Sequence, residues 1–286
     1  MHLGSLITAV GSYLETRHAH GFWHLRIDDL DLNRSKSEWI SPILTTLETL
    51  GLEWEGPVVY QSQNHSEYQA ALDQLKANGM LYACRCSRKM LAGRTSMTGE
   101  ETRYPGTCQN LGFPFERGQS ALRIKVSENL IEIQDGLQGA FRQNLSEMLG
   151  DFVVYRKDRV FAYHLATVLD DEALGVTQVV RGFDLLDSTP RQVFLQEALG
   201  LKTPRYVHLP LLIDEHGTKI SKSLGASAVS TQQPSETLHE VLGYLRQNPP
   251  IDLKKEPVET MLNWASEHWD LTPLKGIASM TLREAP

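Results

Sequence analysis

The chain is poor in cysteine, has no excess of positive charge and contains no long apolar run. Three cysteines among 286 residues are an odd number. With no secretory signal ahead of them they argue against a disulfide framework and leave metal ligation or plain buried thiols. No apolar stretch approaches the roughly 18 to 20 residues a membrane helix requires. The N-terminus has neither the basic flank nor the cleavage pattern of a signal peptide, so a cytoplasmic protein without membrane contact is expected. Lys and Arg number 28 against 35 Asp and Glu, a formal net charge of −7. That balance argues against a nonspecific nucleic-acid coat, which needs clustered cations, but leaves room for a local basic face. Repeats and low-complexity tracts are absent too. What remains is an ordinary globular composition, 41% hydrophobic, long enough for one large core or two modest ones.

Leu3, Leu6, Ile7, Val10 and Leu14 recur at helical spacing, so the chain opens on an amphipathic helix. "FWHLRIDDLD" follows as a buried strand whose acidic end opens onto a site, and "SKSEWISPILTTLETLGLEW" as a helix capped by Ser35 or Ser37 and ended by Gly51. "SEYQAALDQLKANGM" is a further helix. After it, "LYACRCSRKMLAGRTSMTGEETRYPGTCQN" loses periodicity and reads as an insertion that needs an external staple. The stretch from "SALRIKVSENLIEIQDGLQG" alternates like half-exposed strands, and "FVVYRKDRVFAYHLATVLDDEALGVTQVVRG" returns to core-sheet patterning. "YVHLPLLIDEHGTKISKSLGA" gives a strand, a turn at Glu215 to Gly217 and a lysine-bearing loop; the remainder is mainly helical.

Two short motifs carry phosphate chemistry. "HLGS" stands at a helix start, where unpaired amides and the dipole favour anions, Gly4 allows close approach, and the His2 imidazole has a proton to donate. "TKISKSLG" puts Lys219 and Lys222 beside Ser221 and Ser223, cations and donors suited to a polyphosphate. Singly, each is matched by an ordinary surface histidine or a solvated basic turn. As an ordered pair they resemble the two ATP signatures of class I aminoacyl-tRNA synthetases. "LRIDDLDLNRS" resembles the "RIEDTD" strand end of the glutamyl members, and "VVRGFDLLDSTPRQ" their "RGxDLxxSTPRQ" segment. Four motifs in one order over residues 2 to 223 identify the chain as similar to that family.

Cys84 and Cys86 form a C-x-C pair, with Cys108 in "YPGTC", inside the segment that cannot build its own core. Three thiolates suit one structural Zn²⁺ and leave its fourth position open. Resemblance to the zinc site of glutamyl-Q tRNA(Asp) synthetases implies Tyr104 there, with Glu100 or Glu101 as alternatives. Plain reduced thiols are the bland reading.

Only residues 224 to 286 follow the lysine loop, too few for a helical anticodon-binding module, so the resemblance narrows to those short relatives. It implies an α/β Rossmann-like catalytic domain over 1–78 and 152–208, an inserted zinc-bearing subdomain over 79–151, and the lysine loop with a helical stem-contact region over 209–286. It also implies a monomer that activates L-glutamate with ATP and Mg²⁺ and transfers it to queuosine in tRNA(Asp). His2 and Lys222 would be catalytic, and His2, Gly4, Lys219 and Lys222 would bind ATP. Arg181 would pair with a glutamate carboxylate, Tyr163 would supply a hydroxyl, and Asp28 would meet the ammonium group, with Asp29 or Asp31 as alternatives. Family members begin with a strand like "GRFAPSPSG", so a reading frame starting upstream of Met1 is expected, with weak activity or none for a chain that truly begins there. The rival functions are a truncated enzyme charging a tRNA 3′ end and a noncatalytic zinc-stapled tRNA-binding protein.

Overall fold

A computed structural model describes residues 1–31, 35–92, 103–220 and 229–282. The first apolar spacing becomes helix α1 (Leu3–His18), with Leu6, Ile7, Val10 and Leu14 fully buried. The acidic stretch behind it contributes less sheet than its sequence predicts. Strand β1 is two residues (Arg26–Ile27), half-buried, and pairs in parallel with β2 (Val59–Tyr60) alone among the described residues. Helix α2 (Ile40–Thr49) follows a 3₁₀ turn at Ser37–Trp39, so its N-cap is Trp39 and neither serine caps it. The Ser35 hydroxyl instead donates to the Asp28 carbonyl at 2.9 Å. Gly51 ends the helix as expected: at φ +71° it takes the left-handed conformation that a Cβ disfavours, and a Cβ there would lie 3.1 Å from Leu262. Helix α3 (His65–Ala77) completes this part.

The next stretch holds β3 (Leu81–Cys84), the short α4 (Arg88–Ala92), β4 (Ala121–Ile124), β5 (Leu130–Asp135), β6 (Gly139–Asn144), α5 (Leu145–Met148) and β7 (Phe152–Tyr155). β3, β4 and β7 form an antiparallel sheet, while the β5–β6 hairpin joins a four-stranded sheet of order β6-β5-β9-β8. Hydrogen bonding therefore crosses the expected 79–151 boundary in both directions. β7 belongs to the small sheet, and β5 with β6 extends the larger one, because the alternate residues Ile131 and Ile133 need a core to cover them.

Helix α6 (Tyr163–Ala173), β8 (Gln178–Gly182), α7 (Thr189–Leu199) and β9 (Arg205–Leu209) supply the predicted core pattern. β9 is buried on both faces: Val207 and Leu209 pack with α1, α8 (Pro234–Tyr244) and α9 (Val258–Glu267), whereas Tyr206 packs with α3, α6 and α7. Helices on both faces of a partly parallel sheet make this an α/β fold. β10 (Leu211–Ile213) leads into the Asp214 to Thr218 turn, where Gly217 sits at φ +77°. The tail, expected to be mainly helical, ends in one more strand, β11 (Ser279–Thr281), parallel to β10. Among the described residues no helix is long and apolar enough to cross a membrane.

Candidate active site

At the start of α1 the His2 ring caps the helix. Nδ1 accepts from the Ser5 amide at 3.2 Å, and Nε2 lies 2.7 Å from Ser5 Oγ. With Nδ1 accepting, the neutral ring carries its proton on Nε2 and gives it to Ser5 Oγ, a detail that spacing alone does not reveal. A Cβ on Gly4 would stand 3.4 Å from His2 Nδ1 and 3.8 Å from the carbonyl oxygen of Ile220. Ile220 is held by its amide on the Leu212 carbonyl at 2.9 Å, and the Val229 amide donates to the carbonyl of Met1 at 3.0 Å. Both described ends of the lysine-bearing segment are therefore anchored at or beside the "HLGS" turn. Lys222, Ser221 and Ser223 lie outside the described residues. Lys219 is described, and its ammonium pairs with the Asp184 carboxylate, three residues beyond Arg181.

The acidic run is sorted by its partners. Asp29 accepts from the amide and hydroxyl of Ser62 at 2.8 and 2.7 Å, and Asp31 pairs with Arg156 at 2.7 Å. Asp28 keeps 43% of its side chain exposed, with Arg26 Nε 2.8 Å away. The same guanidinium holds Asp171 at 2.5 Å. Burial pushes the Asp171 carboxyl up, Arg26 and Arg181 oppose the shift, and Asp28 adds like-charge repulsion. Asp171 thus lies in the field of both Arg181 and Asp28. Tyr163, at the start of α6, is 37% exposed. Tyr163 and Arg181 both act electrostatically on Tyr206, whose ring centroid lies 5.3 Å from the Arg181 guanidinium carbon.

Arg181 is almost wholly buried, and its partners were not apparent from spacing. Nε meets His208 Nε2 at 3.0 Å, Nη2 donates to Thr189 Oγ1 at 2.8 Å, and His208 Nδ1 lies 2.6 Å from Asp135 Oδ2. One signal was available: Asp135 continues the buried-face alternation of Ile131 and Ile133, and His208 stands in the apolar run "YVHLPLL".

The three thiols converge. Their sulfurs lie within 4.8 Å of one another, with Cys86 and Cys108 at 3.5 Å. Tetrahedral Zn²⁺ with bonds of about 2.3 Å sets its ligands about 3.8 Å apart. Tyr104 Oη is 3.5 Å from Cys84 Sγ and 3.9 Å from Cys86 Sγ, and accepts the Cys108 amide at 2.9 Å. Its backbone is fixed by the Leu149 carbonyl at 2.7 Å and by Gly150, where a Cβ would meet the Tyr104 oxygen at 2.2 Å. Arg123 donates to Cys84 Sγ at 3.3 Å and lies 3.7 Å from the Tyr104 ring centroid. Burial would raise the Cys84 thiol, but hydrogen bonds from Tyr104 and Arg123 outweigh it and bring it down to about 7. Burial and the neighbouring thiols push Cys86 up to about 11. Glu100 and Glu101 lie outside the described residues.

Residues 1–245 match the family model of the catalytic domain of class I tRNA synthetases (E and Q). The glutamyl-Q tRNA(Asp) synthetase of Ectopseudomonas mendocina is 45% identical over 285 residues, covering 100% of this chain and 94% of that protein. The chain belongs to the glutamyl-Q tRNA(Asp) synthetase family. The family member from Chromobacterium violaceum is 46% identical over 272 residues, covering 95% and 90% of the two chains. A crystal structure of glutamate-tRNA synthetase from Elizabethkingia anophelis superposes with a TM-score of 0.79 at 23% identity, covering all of this chain and 66% of that one, so the fold is shared.

Proposed function

We propose that this chain is a ligase that activates L-glutamate with ATP and transfers it to queuosine in the anticodon of tRNA(Asp). The observation that carries this reading is the joining of the two anion sites. The described ends of the lysine segment are anchored at or beside the His2 and Gly4 turn, and Lys219 reaches from there to Asp184 in the segment that bears Arg181. Both reactants are anions, so catalysis here is alignment and charge dispersal. Arg181 takes a glutamate carboxylate, Asp28 the ammonium group and Tyr163 a hydrogen bond. The α1 amides, His2 with the Ser5 hydroxyl it holds, and Lys219 with Lys222 take the ATP phosphates, with Mg²⁺ as counter-charge. An α-carboxylate oxygen attacks the α-phosphorus, the bond to the β-phosphate oxygen breaks and pyrophosphate leaves. A hydroxyl of queuosine then attacks the adenylate carbonyl and AMP leaves.

Cys84, Cys86, Cys108 and Tyr104 hold one Zn²⁺, which when bound neutralises thiolate charge and crosslinks the insertion as a structural staple. The three soft donors with an adjacent phenol fit that ion. The testing experiment is glutamate-dependent ATP–pyrophosphate exchange followed by transfer to tRNA(Asp) with and without queuosine. Exchange and queuosine-dependent transfer are expected. Transfer to unmodified tRNA would indicate 3′-end charging, and absence of exchange would indicate a binding protein.

A further inference from the structure

Parallel register places Arg181 of β8 opposite His208 of β9, and Asp135 of β5 opposite Tyr206 of the same strand. Strand alternation sends Ile131 and Ile133 into the core shared with Tyr206, and continues on that face to Asp135 and His208. The Asp135 and His208 side chains have no solvent exposure. A guanidinium only donates, so His208 Nε2 faces Arg181 without a proton; the ring proton sits on Nδ1 and is given to Asp135. Asp135 also accepts the amides of Leu137 and Gln138, each at 2.9 Å. Burial opposes its ionisation, but His208 and these amides hold its carboxyl below the usual range. Across the guanidinium, Nη2 is taken by Thr189 Oγ1 at 2.8 Å and the Leu185 carbonyl at 3.3 Å. The edge formed by Nε and Nη2 is therefore used inside the protein. Nη1 has no partner among the described residues, which leaves it to a ligand.

We infer that Asp135 and His208 are positioning residues that fix the rotation of Arg181 and choose which of its donors meets glutamate. The inference rests on the reading of Arg181 as the carboxylate partner. In Asp135→Asn the amide can donate to Nδ1, which moves the ring proton to Nε2, where it opposes the Arg181 Nε–H. The arginine then loses its acceptor without losing packing volume.

The test is calorimetric titration of L-glutamate and, separately, of ATP into the wild type, Asp135→Asn, His208→Gln and Arg181→Ala. Asp135→Asn is expected to weaken glutamate binding at least about tenfold, as supporting hydrogen bonds do elsewhere, while ATP affinity stays within about twofold. His208→Gln, whose side-chain oxygen restores an acceptor, should lose less. Adding Asp135→Asn to Arg181→Ala should cause no further loss, which a merely structural role would not produce. In the wild type, ¹⁵N NMR should show His208 protonated at Nδ1 and bare at Nε2; a proton at Nε2 overturns the inference even if the variants do not fold. Unchanged glutamate affinity in Asp135→Asn beside its loss in Arg181→Ala overturns the positioning role and leaves the arginine's role standing. Equal loss of glutamate and ATP affinity overturns it in favour of a structural network. No effect of Arg181→Ala overturns the glutamate reading itself.

Discussion

The amide of Val229 donates to the carbonyl of Met1 at 3.0 Å, so the far end of the lysine segment is tied to the residue that precedes the helix cap. At the near end, the Ile220 carbonyl stands 3.8 Å from the Cβ position of Gly4. A bulky residue at position 4 should therefore intrude where phosphates and loop meet. Gly4→Val is expected to raise the KM for ATP about tenfold or more, and Lys222→Ala to lower ATP–pyrophosphate exchange by about a hundredfold, the scale seen when one donor to a developing anion is lost. Both should leave glutamate affinity within about twofold. Steady-state exchange kinetics check this, and near-normal exchange in Lys222→Ala would sink the assignment.

Among the acidic residues, partners separate one role from the others. Asp29 is committed to Ser62 and Asp31 to Arg156, whereas Asp28 retains an exposed carboxylate edge. Asp28→Asn should weaken glutamate binding about tenfold, and Asp29→Asn should leave it unchanged while lowering thermal stability slightly. The reverse order in calorimetric titrations would move the ammonium partner to Asp29.

The thiol cluster gives a metal prediction. Purified protein should carry about one zinc per chain by plasma mass spectrometry, and Cys108→Ala none. Chelation should lower the melting temperature without abolishing the fold of the parallel sheet, since the cluster lies in its own small core with Cys84 and Tyr104. Wild-type protein that binds no zinc at micromolar concentration would show plain thiols.

His164 predicts a pH effect on stability. Burial, helped by the charges of Arg191 and Arg181, pushes its imidazole down to about 3. The folded state then keeps the ring neutral where the unfolded chain, near its ordinary value of about 6.5, takes up a proton. Its contribution is whole above pH ~6.5 and is lost as pH falls toward 3. Urea unfolding at pH 7 and 4.5 should show the wild type losing about 2 to 3 kcal/mol more than His164→Gln over that interval. Equal losses would show that the ring titrates normally in the fold.

Much of this arrangement is legible in the sequence. Leu6, Ile7, Val10 and Leu14 announced α1, and Gly51 the stop of α2, because burial periodicity and positive φ leave local marks. The C-x-C pair and Cys108 announced their convergence through chemistry. What stayed hidden depended on pairing between distant segments. β5 leaves the insertion for the main sheet through a single register contact, Asp135 with Tyr206, and β11 returns to β10 from the end of a helical stretch. Ser35 looked like a cap but found the Asp28 carbonyl, a competition that local pattern cannot rank. His208 passed as one polar residue in a strand, because its meaning lies in Arg181 across the register and Asp135 one strand further.

Glutamate activated at the joined anion sites goes to queuosine. The most direct test of this is transfer of labelled glutamate to tRNA(Asp) lacking its 3′-terminal adenosine, with and without queuosine. Label is expected on the truncated tRNA only when queuosine is present. Label that requires the 3′-terminal adenosine and ignores queuosine would contradict it.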